Sequence, residues 1–215
     1  MNLFAFKRHV ILCAALAATC VMFAAPAAAL NPAHRQRAEK ITATLGLTDP
    51  AKLSRVSDAI DAHYADTNVL HDATAARIKA LLRTPGAAPA TIETATKAFR
   101  TEAEPKLAVL HASFLTKLAA DLTPAQIEQV KDGLTYGVLP LTLRVYQQML
   151  PELTAPQKAQ LLAWLTEARE HAMDAGSSDE KHAWFGKYKG KINNYLAAAG
   201  YNMKQAEKNL ATKRQ

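Results

Sequence analysis

The sequence predicts an all-α fold, a single-domain multi-helix bundle behind an N-terminal signal peptide. Three observations lead there. No run alternates with period two for long enough to make a strand, and Ala, Leu, Lys, Glu and Gln, all good helix formers, dominate. Proline and glycine are scarce, 10 and 8 in 215 residues, and they fall where helices start and stop. The chain is 49% hydrophobic, enough for a real core and too much for a disordered chain or a fibre.

The elements follow in order. Lys7, Arg8 and His9 form a basic start, Val10 to Phe23 an apolar run, and Ala27-Ala28-Ala29 a small-residue cleavage pattern, so residues 1–29 read as a secretory signal. That predicts a periplasmic or secreted protein with no stable membrane anchor after cleavage. Cys13 and Cys20 lie inside the signal, so residues 30–215 contain no cysteine and can form no disulfide or thiolate site. Asn31-Pro32 opens a first helix that ends near Gly46. Asp49-Pro50 opens a second, running to Arg83 before the stop at Thr84-Pro85-Gly86. A third spans about 90–120, with Pro105 expected to kink it.

Later helices are expected at about 124–135, 140–150, 156–175, 178–199 and 203–213. Thr123 and Thr154 each act as N-cap, with proline in the first turn and Gln126 or Gln157 placed to bond back. Leu47-Thr48-Asp49-Pro50 is a weaker copy of the same arrangement. Ser177 with Glu180 makes another capping box, and Gly200 suits a C′ position. Residues 30–215 offer no linker that would divide them into two domains.

Charge locates the segment of interest. The formal charge of +7 includes Lys7 and Arg8 of the signal; without them it is +5, and residues 181–215 alone carry eight basic residues against Glu207. Five of the eleven aromatics after residue 29 fall within 167–201. At 100° per residue, Trp184, Phe185, Tyr188, Ile192, Tyr195 and Leu196 share one arc of the seventh helix, which reads either as a core face or as a stacking platform. Ala183, Gly186, Gly190 and Ala197 form a nearly bare strip, expected to let a neighbouring helix, or else a ligand, approach closely. His182, Lys189 and Asn193 flank it on one side; Lys187, Lys191 and Asn194 on the other.

The preceding helix aligns Glu167, Glu170, His171 and Asp174 on one face. Surface ion pairing with Arg169 is one reading and a divalent metal another, but without HExxH or a histidine pair at i, i+4 no metal or other cofactor is assigned. Acid–base chemistry by His171 or His182 with Glu170 or Tyr188 is chemically feasible. GxSxG, GxGxxG and a glycine-rich phosphate loop are lacking. His63, His71 and His111 read as helix-face or core histidines. Tyr136-Gly137-Val138-Leu139-Pro140 reads as a shaped turn that can border a pocket.

Two motifs carry a resemblance. The run from Ala172 to Tyr195, AMDAGSSDEKHAWFGKYKGKINNY, resembles the hallmark of a secreted bacterial family, domain of unknown function 3826, and QVKDGLTYGV at 129–138 is similar to its central motif. The resemblance implies export and a link to polysaccharide breakdown, and it supplies no catalytic residues. The two LTxxQ motifs, Leu122 to Gln126 and Leu153 to Gln157, resemble those of Spy/CpxP-type periplasmic chaperones, and capping explains them equally.

These readings combine into an expected function. It is a binding or accessory role on acidic oligosaccharide or polysaccharide, with no nucleic-acid partner. Trp184 and Tyr188 would stack on sugar rings if exposed, and Lys187, Lys189, Lys191, Asn193 and Asn194 would contact acid and hydroxyl groups. A lyase or hydrolase using His171 or His182 with Tyr188, and a Spy/CpxP-like chaperone, are the alternatives.

Overall fold

The computed structural model describes residues 31–213, which form eight helices and, among the described residues, no strand. The signal predicted over 1–29, with both cysteines, lies outside the described residues. The helices are α1 (Pro32–Ala43), α2 (Pro50–Leu82), α3 (Pro89–Ala119), α4 (Pro124–Leu134), α5 (Val138–Met149), α6 (Ala155–Met173), α7 (Ser178–Ala198) and α8 (Met203–Lys213). No helix among the described residues is long and apolar enough to cross a membrane.

Local chemistry sets the boundaries. At α4, Gln126 N donates to Thr123 Oγ1 at 3.3 Å while Thr123 N donates to Gln126 Oε1 at 3.0 Å; at α6 the Thr154–Gln157 pair closes the same box. Both glutamines also reach outward, since Gln126 Nε2 donates to the Leu45 carbonyl and Gln157 Oε1 accepts from the Tyr201 hydroxyl. At α2 the cap is Asp49 rather than Thr48, its carboxylate accepting from Ala51 N. At α7, Ser177 caps Glu180 N as expected, but the Glu180 carboxylate takes the amide of Gly176 instead of closing the box. Gly200, at φ 93°, ends α7 with a Tyr201 N to Leu196 O bond of 3.1 Å. α5 begins two residues before the expected 140, because Pro140 sits in a first turn that needs no intrahelical donor. α3 runs unbroken through Pro105, on an exposed face.

Two apolar cores result. One is built from α1, α2, α3 and α4 around Ala38, Val56, Ile60, Phe114, Leu118, Val130 and Leu134, and Met173 of α6 reaches into it. The other joins α5 to α8 around Leu161, Leu165, Phe185, Ile192 and Leu196. Beyond Thr67 on α2 and before Phe114 on α3 no residue is buried, so the distal parts of these helices form a two-helix arm outside both cores. α6 is the element common to the two cores, and its C-terminal end lies between them.

Close approach constrains one helix pair. A Cβ on Gly133 of α4 would sit 2.9 Å from Ile41 Cγ1 on α1, whereas one on Gly186, midway along α7, meets nothing within 4 Å. Gly133→Ala therefore costs about 1–3 kcal/mol through overpacking. Gly186→Ala gains about 1 kcal/mol of helix propensity. Urea unfolding midpoints of the two variants should move in opposite directions.

Candidate ligand-binding surface

The side chains of α7 sort into a buried stripe and a solvent face. Phe185, Tyr188, Ile192 and Leu196 are all at most 5% exposed. The core reading of this arc therefore holds for those four, and the buried Tyr188 ring presents no platform for a sugar. Burial pushes the Tyr188 hydroxyl up to about 12, with the Glu167 carboxylate beside it adding to the rise, so it is a poor base near neutrality. The bare strip is not a packing seam: Ala183, Gly186, Gly190 and Ala197 all face solvent, and no helix among the described residues covers them.

One edge of that face carries cations held over rings. Lys187 Nζ lies 4.9 Å from the Trp184 ring centroid, and Lys191 Nζ lies 4.6 Å from that of Trp164 on α6 and 5.5 Å from that of Tyr188. Trp184, half-buried, stacks on His171 at 4.3 Å, and Trp164 meets Tyr195 edge-on. With His171 on its ring and Lys187 near it, Trp184 is already partnered, and a sugar would meet the lysines first. The opposite edge turns to α5, where the Tyr146 hydroxyl donates to Asn193 Oδ1 at 2.6 Å; Lys189 and Asn194 are exposed.

The expected acid–base residues come together only in part: the His171 and Tyr188 rings lie 6.4 Å apart, tilted, while His182 and Glu170 point elsewhere. His182 stacks on Tyr136 at 5.5 Å, on the α5 side of α7, while His171 sits against Trp184 on the α6 side. Glu170 turns from both. It is bonded to Lys131 of α4 at 3.1 Å and lies 3.3 Å from His111 of α3. The shared face of Glu167, Glu170, His171 and Asp174 is thus split, two residues toward α7 and two toward α2, α3 and α4. Arg169 is buried rather than a surface partner, bonded to Asp132 at 2.8 Å and to Glu128 and Glu170. A buried guanidinium needs such compensation, because its desolvation costs several kcal/mol, and only its Nε is left without a hydrogen-bond partner among the described residues.

His63, His71 and His111, expected only as helix-face or core histidines, are the centre of this network. His111 Nδ1 bonds Asp174 Oδ2 at 2.8 Å, buried His63 places Nε2 3.3 Å from Asp174 Oδ1, and His71 Nε2 bonds the Asp174 carbonyl at 2.6 Å. Gly176 is glycine because His71 packs where a Cβ would be, 2.7 Å from its Cγ. Lys181, only 5% exposed, donates to the carbonyls of Ala172 and Met173 at 2.9 and 3.0 Å. Burial, with Arg37 nearby, draws it down to about 8. One lysine of the basic segment is therefore a helix cap.

A second grouping draws its members from positions far apart in the chain, where no sequence spacing links them. Tyr136, at φ 60° and 43% exposed, holds its ring 4.0 Å from the Arg37 guanidinium of α1 while also stacking on His182. Behind it lies the Tyr64 hydroxyl of α2, raised to about 12 by burial. The shaped turn at 136–140 was the available signal. Nothing in the periodicity of α1 marks Arg37.

The sequence profile of one family, described as Protein of unknown function (DUF3826), matches residues 32–215. Comparison with curated proteins gives no match.

The network predicts a pH dependence. Bonds to Asp174 and Glu170 raise His111 from 6.5 to about 9, burial opposing them, with His63 and Lys131 the other charged or titratable groups at hand. A raised histidine stabilises the fold fully below about 6.5 and loses that contribution as pH rises through about 9. Urea unfolding from pH 6 to 10 should show a loss of about 2 kcal/mol attributable to this group. His111→Gln should flatten that slope.

Proposed function

The chain is a member of the DUF3826 family, whose function is unknown, and from that premise we propose that it is an exported binding or accessory protein for acidic polysaccharide. The leader pattern at 1–29 supports export. The observation that carries the binding reading is the acid-free cationic face of α7. Lys187, Lys189 and Lys191 are exposed, and none takes part in an ion pair among the described residues.

The chemistry favours a polymer. Lys187 and Lys191 are one turn apart, about 6 Å along the axis. The rings beneath hold them in place, each contact contributing about 0.5–1 kcal/mol. A single exposed lysine–carboxylate pair contributes only about 0.2–1 kcal/mol, so one sugar acid would bind feebly there. A chain of repeated carboxylates engages several lysines at once and gains from effective concentration. The glycine strip between the ridges leaves room for such a chain to lie against the helix. Recognition on this face would rest on charge more than on stacking, since the available rings are buried or already partnered.

Calorimetric titration with a polyuronate tests the reading. Binding should weaken about fivefold or more in Lys187→Ala/Lys191→Ala and fall steeply as salt is raised. A neutral polysaccharide of the same length should not bind. Absence of binding across a panel of acidic polysaccharides would overturn the proposal.

A further inference from the structure

Away from the lysine face of α7, an open groove of about 410 Å³ runs between α1 and α4, lined among others by Gln36, Arg37, Lys40, Thr44 and Gly133. That volume suits a molecule of one or two sugar rings. Its polar residues are unbalanced in charge. Arg37 and Lys40 both face it, no carboxylate lines it, and neither residue takes part in an ion pair among the described residues.

Arg37 is held ready for a partner it lacks. Its guanidinium lies over the Tyr136 ring, and Nη2 donates to the Gly133 carbonyl at 3.4 Å, a long bond to a neutral acceptor. Its Nε and the adjacent Tyr64 hydroxyl are buried and find no hydrogen-bond partner among the described residues, Tyr64 being only 9% exposed. Lys181 adds a further positive charge behind them. Tyr136 keeps its place over Arg37 from a left-handed backbone that costs a non-glycine residue about 1–3 kcal/mol. The Tyr136 ring and its strained turn thus fix the plane of one guanidinium at the edge of a groove lined by no carboxylate.

We propose that this groove is a binding site for a small carboxylate-bearing molecule, whose acid group pairs with Arg37 and Lys40. A planar carboxylate matches the planar, fixed guanidinium and can take two parallel N–H bonds from it, while Lys40 supplies a second charge from one helical turn further on. Gln36 and Thr44 offer hydrogen bonds to hydroxyls on the body of the ligand. Tyr136 is a positioning residue, acting through Arg37. The site is independent of the α7 face, because neither Lys187 nor Lys191 lines it.

Titration of the ¹⁵N-labelled protein with glucuronate, followed by amide shifts, tests the assignment. Saturable shifts are expected at Gln36, Lys40 and Gly133. Glucose should cause none, and Lys187→Ala/Lys191→Ala should leave the affinity unchanged. Lys40→Ala, an exposed substitution, and Arg37→Lys, which keeps the charge but loses the fork, should each weaken binding about tenfold. If Arg37→Lys fails to fold, Lys40→Ala alone decides. The assignment is overturned if glucuronate leaves the groove amides unmoved, if it shifts only those of α7, or if Lys40→Ala binds as the parent does. Saturation by inorganic phosphate where glucuronate gives none would equally overturn it.

Discussion

The last turn of α6 holds this molecule together. Its terminal carbonyls carry the negative end of a 19-residue helix, and Asp174, the C-cap, adds a full negative charge at the unfavourable end of that dipole. Nitrogen groups from other helices answer both: His63 and His71 from α2, His111 from α3 and Lys181 from α7. A residue earlier, Met173 is buried in the α1–α4 core, while Ala172 belongs to the α5–α8 core. One helix end therefore joins two apolar clusters that otherwise have little reason to keep a set orientation.

That joint also positions the surfaces. With Lys181 buried on the α6 carbonyls, the register of α7 is set from its first turn. His182 then falls toward Tyr136, and Lys187 and Lys191 fall over the tryptophans. The same lysine lies near Arg37 and the Tyr64 ring, so the region behind the α1–α4 groove is held by the residue that sets α7. The basic residues of the C-terminal segment divide the work. Lys181 is structural, while Lys187, Lys189 and Lys191 remain in solvent and take part in no ion pair among the described residues.

Helices were legible in the sequence because their punctuation is local. Thr123 and Gln126, Thr154 and Gln157, and Gly200 each act within one turn, so spacing alone predicts them. The buried stripe of α7 was legible for the same reason, as a matter of 100° per residue. What spacing could not convey was which helix each face would meet. Gly186 and Gly190 resemble a packing seam, yet no helix arrives there. His63, His71 and His111 look ordinary one at a time, and only the closing of α2 and α3 on α6 brings them to Asp174. Arg37 and Tyr136 are ninety-nine positions apart, and periodicity holds no trace of such a pair.

The claim at the centre of this account is that the Asp174–Lys181 joint makes two cores unfold as one. Differential scanning calorimetry of the protein and of Asp174→Ala/Lys181→Met tests it most directly. The parent should melt in a single transition whose calorimetric and van't Hoff enthalpies agree, and the double variant should separate into two. Two independent transitions in the parent, or one unshifted cooperative transition in the variant, would contradict it.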